Sequence, residues 1–195
     1  DQLIYGDVTH GGIKRIFIDE VDGIKQGSAF RFIQGLDAGI NRMVWGPDGS
    51  LYAGGIGSGG NWRHEGRLWY ALHRFDYNEK TTFEMLAVRA KVGGMEIEFT
   101  EPISDEETID TSSFDVQQYY YEATQQYGGP KKGVETLEVT GVEFSKDRKK
   151  VFLKINGIKE RKVLYIHIVK PFKSDNKQKL WSTETWYNMT KKPVN

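Results

Sequence analysis

The sequence predicts an all-β chain made of two β units, residues 1–82 and 83–195. Three observations predict it. Apolar and polar residues alternate with a period of two through Ile13 to Val21, Met95 to Phe99 and Val151 to Ile155, the spacing that puts every second side chain on one face of a strand. Turn signals recur at short intervals, at Asp22-Gly23, Gly46 to Gly49, Gly93-Gly94, Lys146-Asp147-Arg148 and Asn156-Gly157. A short polar segment, Asn78 to Thr82, separates the two strand-rich stretches and is too short for a flexible linker.

In the first unit, Leu3-Ile4-Tyr5 opens as a strand and leads into a loop, Gly6 to Gly12. Ile13 to Val21 carries apolar residues on both faces, which predicts a strand covered on both sides. Ala29 to Ile33 is a further strand. Met43-Val44-Trp45 and Leu51-Tyr52-Ala53 flank Gly46-Pro47-Asp48-Gly49-Ser50. Pro47 presets a turn φ, Asp48 can bond its own backbone two residues on, and Gly49 accepts a positive φ, so the two runs form a hairpin. Gly54 to Gly60 reads as a surface loop that brings backbone close to a neighbour or a ligand. It ends on Asn61, Trp62, Arg63 and His64, and Arg67 to Tyr77 is the last strand.

In the second unit, Met85 to Ala90 is a strand and Gly93-Gly94 turns it back into Met95 to Phe99, a half-buried strand. Ser104 to Ser113 is an acidic loop. Phe114 to Tyr121 is a strand with an aromatic end, and Gln125 to Gly133 is a Gly/Pro loop. Leu137 to Phe144 is a strand in which Gly141 breaks the alternation as a bulge would. Val163 to Val169 is apolar on both faces except at His167, the pattern of a central strand. Short strands with turns every 8–12 residues predict a β-sandwich.

Composition narrows the function. Of the 195 residues, 27 are Lys or Arg and 27 are Asp or Glu. That balance lacks the basic excess that nucleic acid or an anionic membrane requires. The absence of cysteine excludes disulfides, thiolate zinc, covalent c-type haem and blue copper. No run approaches the ~18 apolar residues of a membrane helix. The chain begins on Asp1-Gln2 without a signal peptide, and Leu3-Ile4-Tyr5 is already strand-like, so it reads as an internal piece.

The hairpin around Gly46-Pro47-Asp48-Gly49-Ser50-Leu51-Tyr52 resembles a blade strand pair of secreted β-propellers related to sugar (glucose/sorbosone) dehydrogenases, where such a turn recurs blade after blade. A blade takes about 40–45 residues, so 1–82 would be a propeller-like unit of one to two blades. The order of Glu96 to Ile103 before Lys149 to Gly157 resembles that of two strands in bacterial Ig-like domains, without the Cys…Trp…Cys core. With Gly6 to Gly12, Gly35 to Gly60, Phe83 to Arg89 and Leu180 to Tyr187, the chain is similar to the C-terminal part of large secreted proteins of Bacteroidetes-type bacteria. The resemblance implies a secreted or periplasmic, non-catalytic scaffold or glycan-contact module, with carbohydrate and the remaining propeller portion of a parent protein as partners. The second reading it implies is a fragment of a quinone-dependent sugar oxidoreductase, whose active site needs the missing blades. Full-length relatives would hold pyrroloquinoline quinone (PQQ) and Ca²⁺. No cofactor or metal is expected on this chain, and no catalytic residue can be carried over.

The candidate ligand-binding residues are His10, Asn61, Trp62, Arg63 and His64. His10 lies between Thr9 and Gly11-Gly12, where a base or ligand would be accessible; a turn-capping role competes with that reading. Trp62 offers a flat face to a sugar ring and Arg63 a fork of donors to hydroxyls or carboxylates. Packing of Trp62 against the second unit is the rival reading. His73 and His167 sit in strand patterns and read as structural. Asp105-Glu106-Glu107 and Asp110 lack the spacing of a calcium loop and read as a solvated face. Tyr119-Tyr120-Tyr121 could form a carbohydrate platform, with Tyr120 on the opposite face from its neighbours.

Overall fold

The structure, a computed structural model, describes residues 2–9, 11–57, 68–125 and 128–194. It is all-β, with three antiparallel sheets, none closed into a barrel, and no α-helix among the described residues. The strands run β1 Gln2–Gly6, β2 Ile13–Val21, β3 Ile24–Ile33, β4 Gly39–Trp45, β5 Leu51–Ile56, β6 Tyr70–Phe75 and β7 Met85–Lys91. They continue as β8 Gly94–Phe99, β9 Phe114–Tyr120, β10 Lys132–Leu137, β11 Val139–Phe144, β12 Lys150–Ile155, β13 Lys162–Ile168 and β14 Glu184–Met189. Seven form a sheet in the order β1-β2-β3-β14-β13-β9-β10, four the order β11-β12-β8-β7, and three the order β4-β5-β6. The chain divides into two compact units. The larger holds Phe17–Phe30 and the residues from Thr82 on; the smaller holds Gln2–Ile16 and Arg31–Thr81.

The larger unit is a β-sandwich. Its core takes Val88, Met95, Ile97, Val151 and Leu153 from the four-stranded sheet and Val116, Leu164, Ile166 and Tyr187 from the seven-stranded one. The alternation read from the sequence sets the faces. Met95, Ile97 and Phe99 are buried, while Glu96 and Glu98 lie on the far side within reach of Arg89, at 3.5 and 2.5 Å. The Arg89 guanidinium sits 4.9 Å from the Phe17 ring centre, a cation–π contact on top of the ion pairs. Pairing of β11 with β12 shifts register between Val139 and Gly141, the bulge expected there. β13 is flanked by β14 and β9, so it is interior as its apolar run predicts.

Two polar arrangements tie this unit together. Gln118 is fully buried on β9. Its amide donates to Glu135 Oε2 at 2.8 Å and to the Gly157 carbonyl at 3.0 Å, and accepts from the Lys159 N–H at 3.0 Å. A buried amide is tolerated because its hydrogen-bonding capacity is used. The second joins Asp19 of β2, Gln26 of β3 and Tyr187 of β14. The Tyr187 hydroxyl donates to Asp19 Oδ2 at 2.6 Å and accepts from Gln26 Nε2 at 2.8 Å. Gln26 Oε1 then takes the N–H groups of Thr190 and Lys191 at 2.9 and 2.8 Å.

The smaller unit has its own core of Ile13, Leu36, Ile40, Leu51 and Ala53. Its three-stranded sheet is an antiparallel meander turned by the predicted hairpin. The Gly46 N–H bonds the Ser50 carbonyl at 2.8 Å, and the Ser50 N–H reaches Asp48 Oδ1 at 3.2 Å, the two-residue side-chain bond expected of Asp48. Gly49 takes φ +79°, a left-handed conformation that costs other residues. One expectation is corrected. Gly54 and Gly55 are not loop but strand, because β5 runs on to Ile56 and pairs with β6 along its whole length. Gly55 is required there by packing: a Cβ on it would come within 2.9 Å of the Ala38 Cβ.

Around the turn, Tyr52 donates to Asp48 Oδ2 at 2.9 Å, and Asp76 Oδ1 accepts from Ser50 Oγ at 2.5 Å and Arg74 Nε at 2.9 Å. These bonds hold the Asp48 and Asp76 carboxyls below the usual carboxylate value of 3.8, the Tyr52 bond leading for Asp48 and the Ser50 bond for Asp76. A depressed folded pKa contributes stability above the unfolded value, and that contribution is lost as pH falls through the folded one. NMR carboxyl titration should therefore give midpoints below 3.8 for both groups. In Tyr52→Phe the Asp48 midpoint should move up toward the ordinary value; an unmoved midpoint would contradict the bond.

Candidate functional site

The predicted ligand-binding residues His10, Asn61, Trp62, Arg63 and His64 lie outside the described residues. The strands that lead into and out of the 58–67 segment, β5 and β6, are described, and they carry the most unusual surface of the smaller unit.

Register places Arg42 and Val44 of β4, Tyr52, Gly54 and Ile56 of β5, and Tyr70, Leu72 and Arg74 of β6 on one face of the three-stranded sheet. The opposite face carries Met43, Leu51, Ala53 and Phe75 into or against the core. On the first face Val44 is 65% exposed, Leu72 77% and Tyr70 79%. Gly54 sits among them, and a Cβ on it would meet open space. Contiguous exposed apolar surface on a sheet marks an interaction site far more often than scattered single residues do. Cations stand beside the apolar centre. Arg74 is paired with Asp76 and Asp48, at 2.9 and 3.4 Å. Arg42 uses one guanidinium nitrogen on the Asn41 carbonyl and side-chain oxygen, at 3.0 and 3.3 Å.

The larger unit presents a second surface, on the side of β9, β13 and β14 away from the core. Cross-strand pairs set it out in rows: Asp115, His167 and Glu184; then Gln117, Tyr165 and Trp186; then Tyr119, Val163 and Asn188. Of the tyrosine run, Tyr119 is buried, edge-on to the exposed Tyr121 with centroids 5.5 Å apart. Burial pushes the Tyr119 phenol far above its ordinary range, with Tyr121 adding to it. His167, read as structural, shares the side of β13 away from the core with Tyr165, ring centres 6.2 Å apart. Sequence reading missed Tyr165 and Trp186 as neighbours, because only register brings β13 and β14 together; the available signal was the alternation Asp115, Gln117, Tyr119. Among the described residues no group of three or more His, Cys, Asp or Glu side chains could hold a metal ion.

These features define an all-β chain with a sandwich unit and a smaller unit whose three-stranded sheet exposes an apolar face. The chain matches no protein-family model, no curated protein and no solved structure.

Proposed function

We propose that the chain is a non-catalytic scaffold module of a secreted sugar-dehydrogenase-like protein, and that the open face of β4-β5-β6 docks against a β-sheet of the remaining propeller portion. The observation that supports this is the exposure of Val44, Tyr70 and Leu72 on one sheet face. Sheets pack face to face about 10 Å apart with interdigitating apolar side chains, and Gly54, which carries no side chain, leaves open space for one among Val44, Tyr70 and Leu72. The hairpin motif Gly46 to Tyr52 that carries the propeller resemblance is the turn of this same sheet.

The test co-expresses this chain with the propeller portion of such a parent protein. A 1:1 complex by light scattering is expected for the wild type. The double variant Tyr70→Glu/Leu72→Glu should lose the complex at least tenfold while keeping its β circular dichroism. A chain that forms no complex, or a complex indifferent to these two substitutions, would remove the proposal.

A further inference from the structure

We propose that the free edge of β6 pairs with β6 of a second copy of this chain, antiparallel about a two-fold axis at Leu72. The pairing uses backbone groups at a strand edge and a different partner, so it does not rest on the docking reading above.

The backbone defines the edge. β6 is the last strand of the order β4-β5-β6, so β5 flanks it on one side only. The Gly57 N–H bonds the Trp69 carbonyl at 2.6 Å, which makes Gly57 and Trp69 a hydrogen-bonded pair. Such pairs alternate along an antiparallel ladder. The register therefore assigns the next ones to Gly55 with Ala71, Ala53 with His73 and Leu51 with Phe75. The N–H and C=O groups of Tyr70, Leu72 and Arg74 then point away from β5, and no hydrogen bond among the described residues engages them.

Proteins guard open sheet edges with bulges, short strands, lysine or proline. The other edges of this chain are guarded. Pairing shifts register at β4, β7, β10 and β11, and β1 is only 5 residues long. The Ile40 N–H of β4 is also taken by the Asp7 carbonyl, at 3.1 Å. By contrast, β6 pairs with β5 along its 6 residues without a shift, and Tyr70-Ala71-Leu72-His73-Arg74-Phe75 contains neither Lys nor Pro.

The strand is also complementary to itself. Turned about Leu72, two copies set Leu72 against Leu72, and Tyr70 of each copy against Arg74 of the other. Apolar meets apolar, and a guanidinium meets an aromatic ring. Every outward residue of the strand is used, each opposed pair exchanging two backbone bonds. A centre one residue earlier sets Arg74 against Leu68, whose N–H already bonds the Asp37 carbonyl at 2.9 Å. A centre one residue later sets Leu72 against Arg74 and Tyr70 against Asp76, beyond the strand end. A two-fold pairing is closed, and the edges that remain are the guarded ones, so association stops at two copies.

The test is sedimentation velocity on the folded chain. From about 5 µM to about 1 mM it should show a reversible monomer–dimer equilibrium with a dissociation constant of about 100 µM, the weak range of a small interface. In concentrated samples the amides of Tyr70, Leu72 and Arg74 should gain protection from hydrogen exchange. Leu72→Pro deletes one outward N–H, which an edge strand tolerates, and should weaken the dimer at least tenfold. Leu72 faces its own copy, so Leu72→Lys and Leu72→Glu should each be monomeric, and their equimolar mixture should restore the dimer. The mixture is the deciding arm if the proline variant misfolds, since mixing does not repair a folding defect. A wild type monomeric throughout, a dimer with those amides unprotected, a folded Leu72→Pro or Leu72→Lys that dimerises as the wild type does, or a mixture that stays monomeric would each overturn the proposal. None of these arms contains the propeller portion, so failure of the docking reading leaves them unchanged.

Discussion

Phe99→Ala should destabilise the larger unit by about 3–5 kcal/mol, the cost of truncating a large core side chain. Phe99 is 1% exposed and closes a three-ring cluster with Phe83 and Phe172. Its ring centre lies 5.6 Å from Phe83 and 5.5 Å from Phe172, the second contact edge-on at 73°. Two terms add in the variant. The apolar transfer energy of the ring is lost, and a cavity remains that neighbours fixed on separate strands fill only in part. At about 2–4 °C per kcal/mol for a chain of this size, the melting temperature should fall by roughly 6–20 °C. Phe99→Leu, which refills most of the volume, should lose much less. Urea melts followed by near-ultraviolet circular dichroism would measure both. An alanine variant within about 0.5 kcal/mol of the wild type would mean that this cluster is not the core of the sandwich.

The second large effect should come from one oxygen atom. Tyr187→Phe keeps the ring but deletes the hydroxyl that bridges Asp19 and Gln26. Asp19 Oδ2 is then left with the Ala90 N–H at 2.9 Å, and Gln26 Nε2 with the Lys191 carbonyl at 3.0 Å. Hydrogen bonds to charged groups contribute about 1.5–3 kcal/mol, and the loss here falls in that range because both abandoned partners are buried. Tyr121→Phe, on an exposed ring, should stay within about 0.5 kcal/mol. The pH dependence gives a second readout. Burial, reinforced by the Asp19 hydrogen bond, pushes the Tyr187 hydroxyl far above its ordinary value of 10.0. A raised folded pKa means that above pH 10 the folded state keeps a proton the unfolded state has released. The stability this group contributes is therefore complete below pH 10 and falls as pH rises beyond it. Between pH 9 and 11 the wild type should lose more stability than Tyr187→Phe. Parallel curves would show that the hydroxyl is not held in this way.

Much of the fold was legible because it depends on local rules. The period-two runs Met95 to Phe99 and Val151 to Ile155 define strand and face together, since alternate side chains of a strand must point opposite ways. Asp22-Gly23, Gly46 to Gly49 and Asn156-Gly157 turn the chain where their residue types predict it. Gly54 and Gly55 misled, because low strand propensity yields to tertiary context: one lies on an open face and the other under a close backbone approach.

What the sequence determined by itself, then, is the all-β class, the position of most strands and turns, and which side of each strand is apolar. The tertiary structure decided which strands meet. It placed Phe17–Phe30 with the residues from Thr82 on, although nearly all of the first eighty residues otherwise form the smaller unit. It set β13 between β9 and β14, creating the row of Gln117, Tyr165 and Trp186 from three distant stretches of chain. It left the face of Val44, Tyr70 and Leu72 open, although nothing in β4 or β6 read singly tells a covered face from an uncovered one. The reason is physical: alternation specifies two faces for every strand, whereas pairing and covering depend on the energies of contacts between segments far apart in sequence.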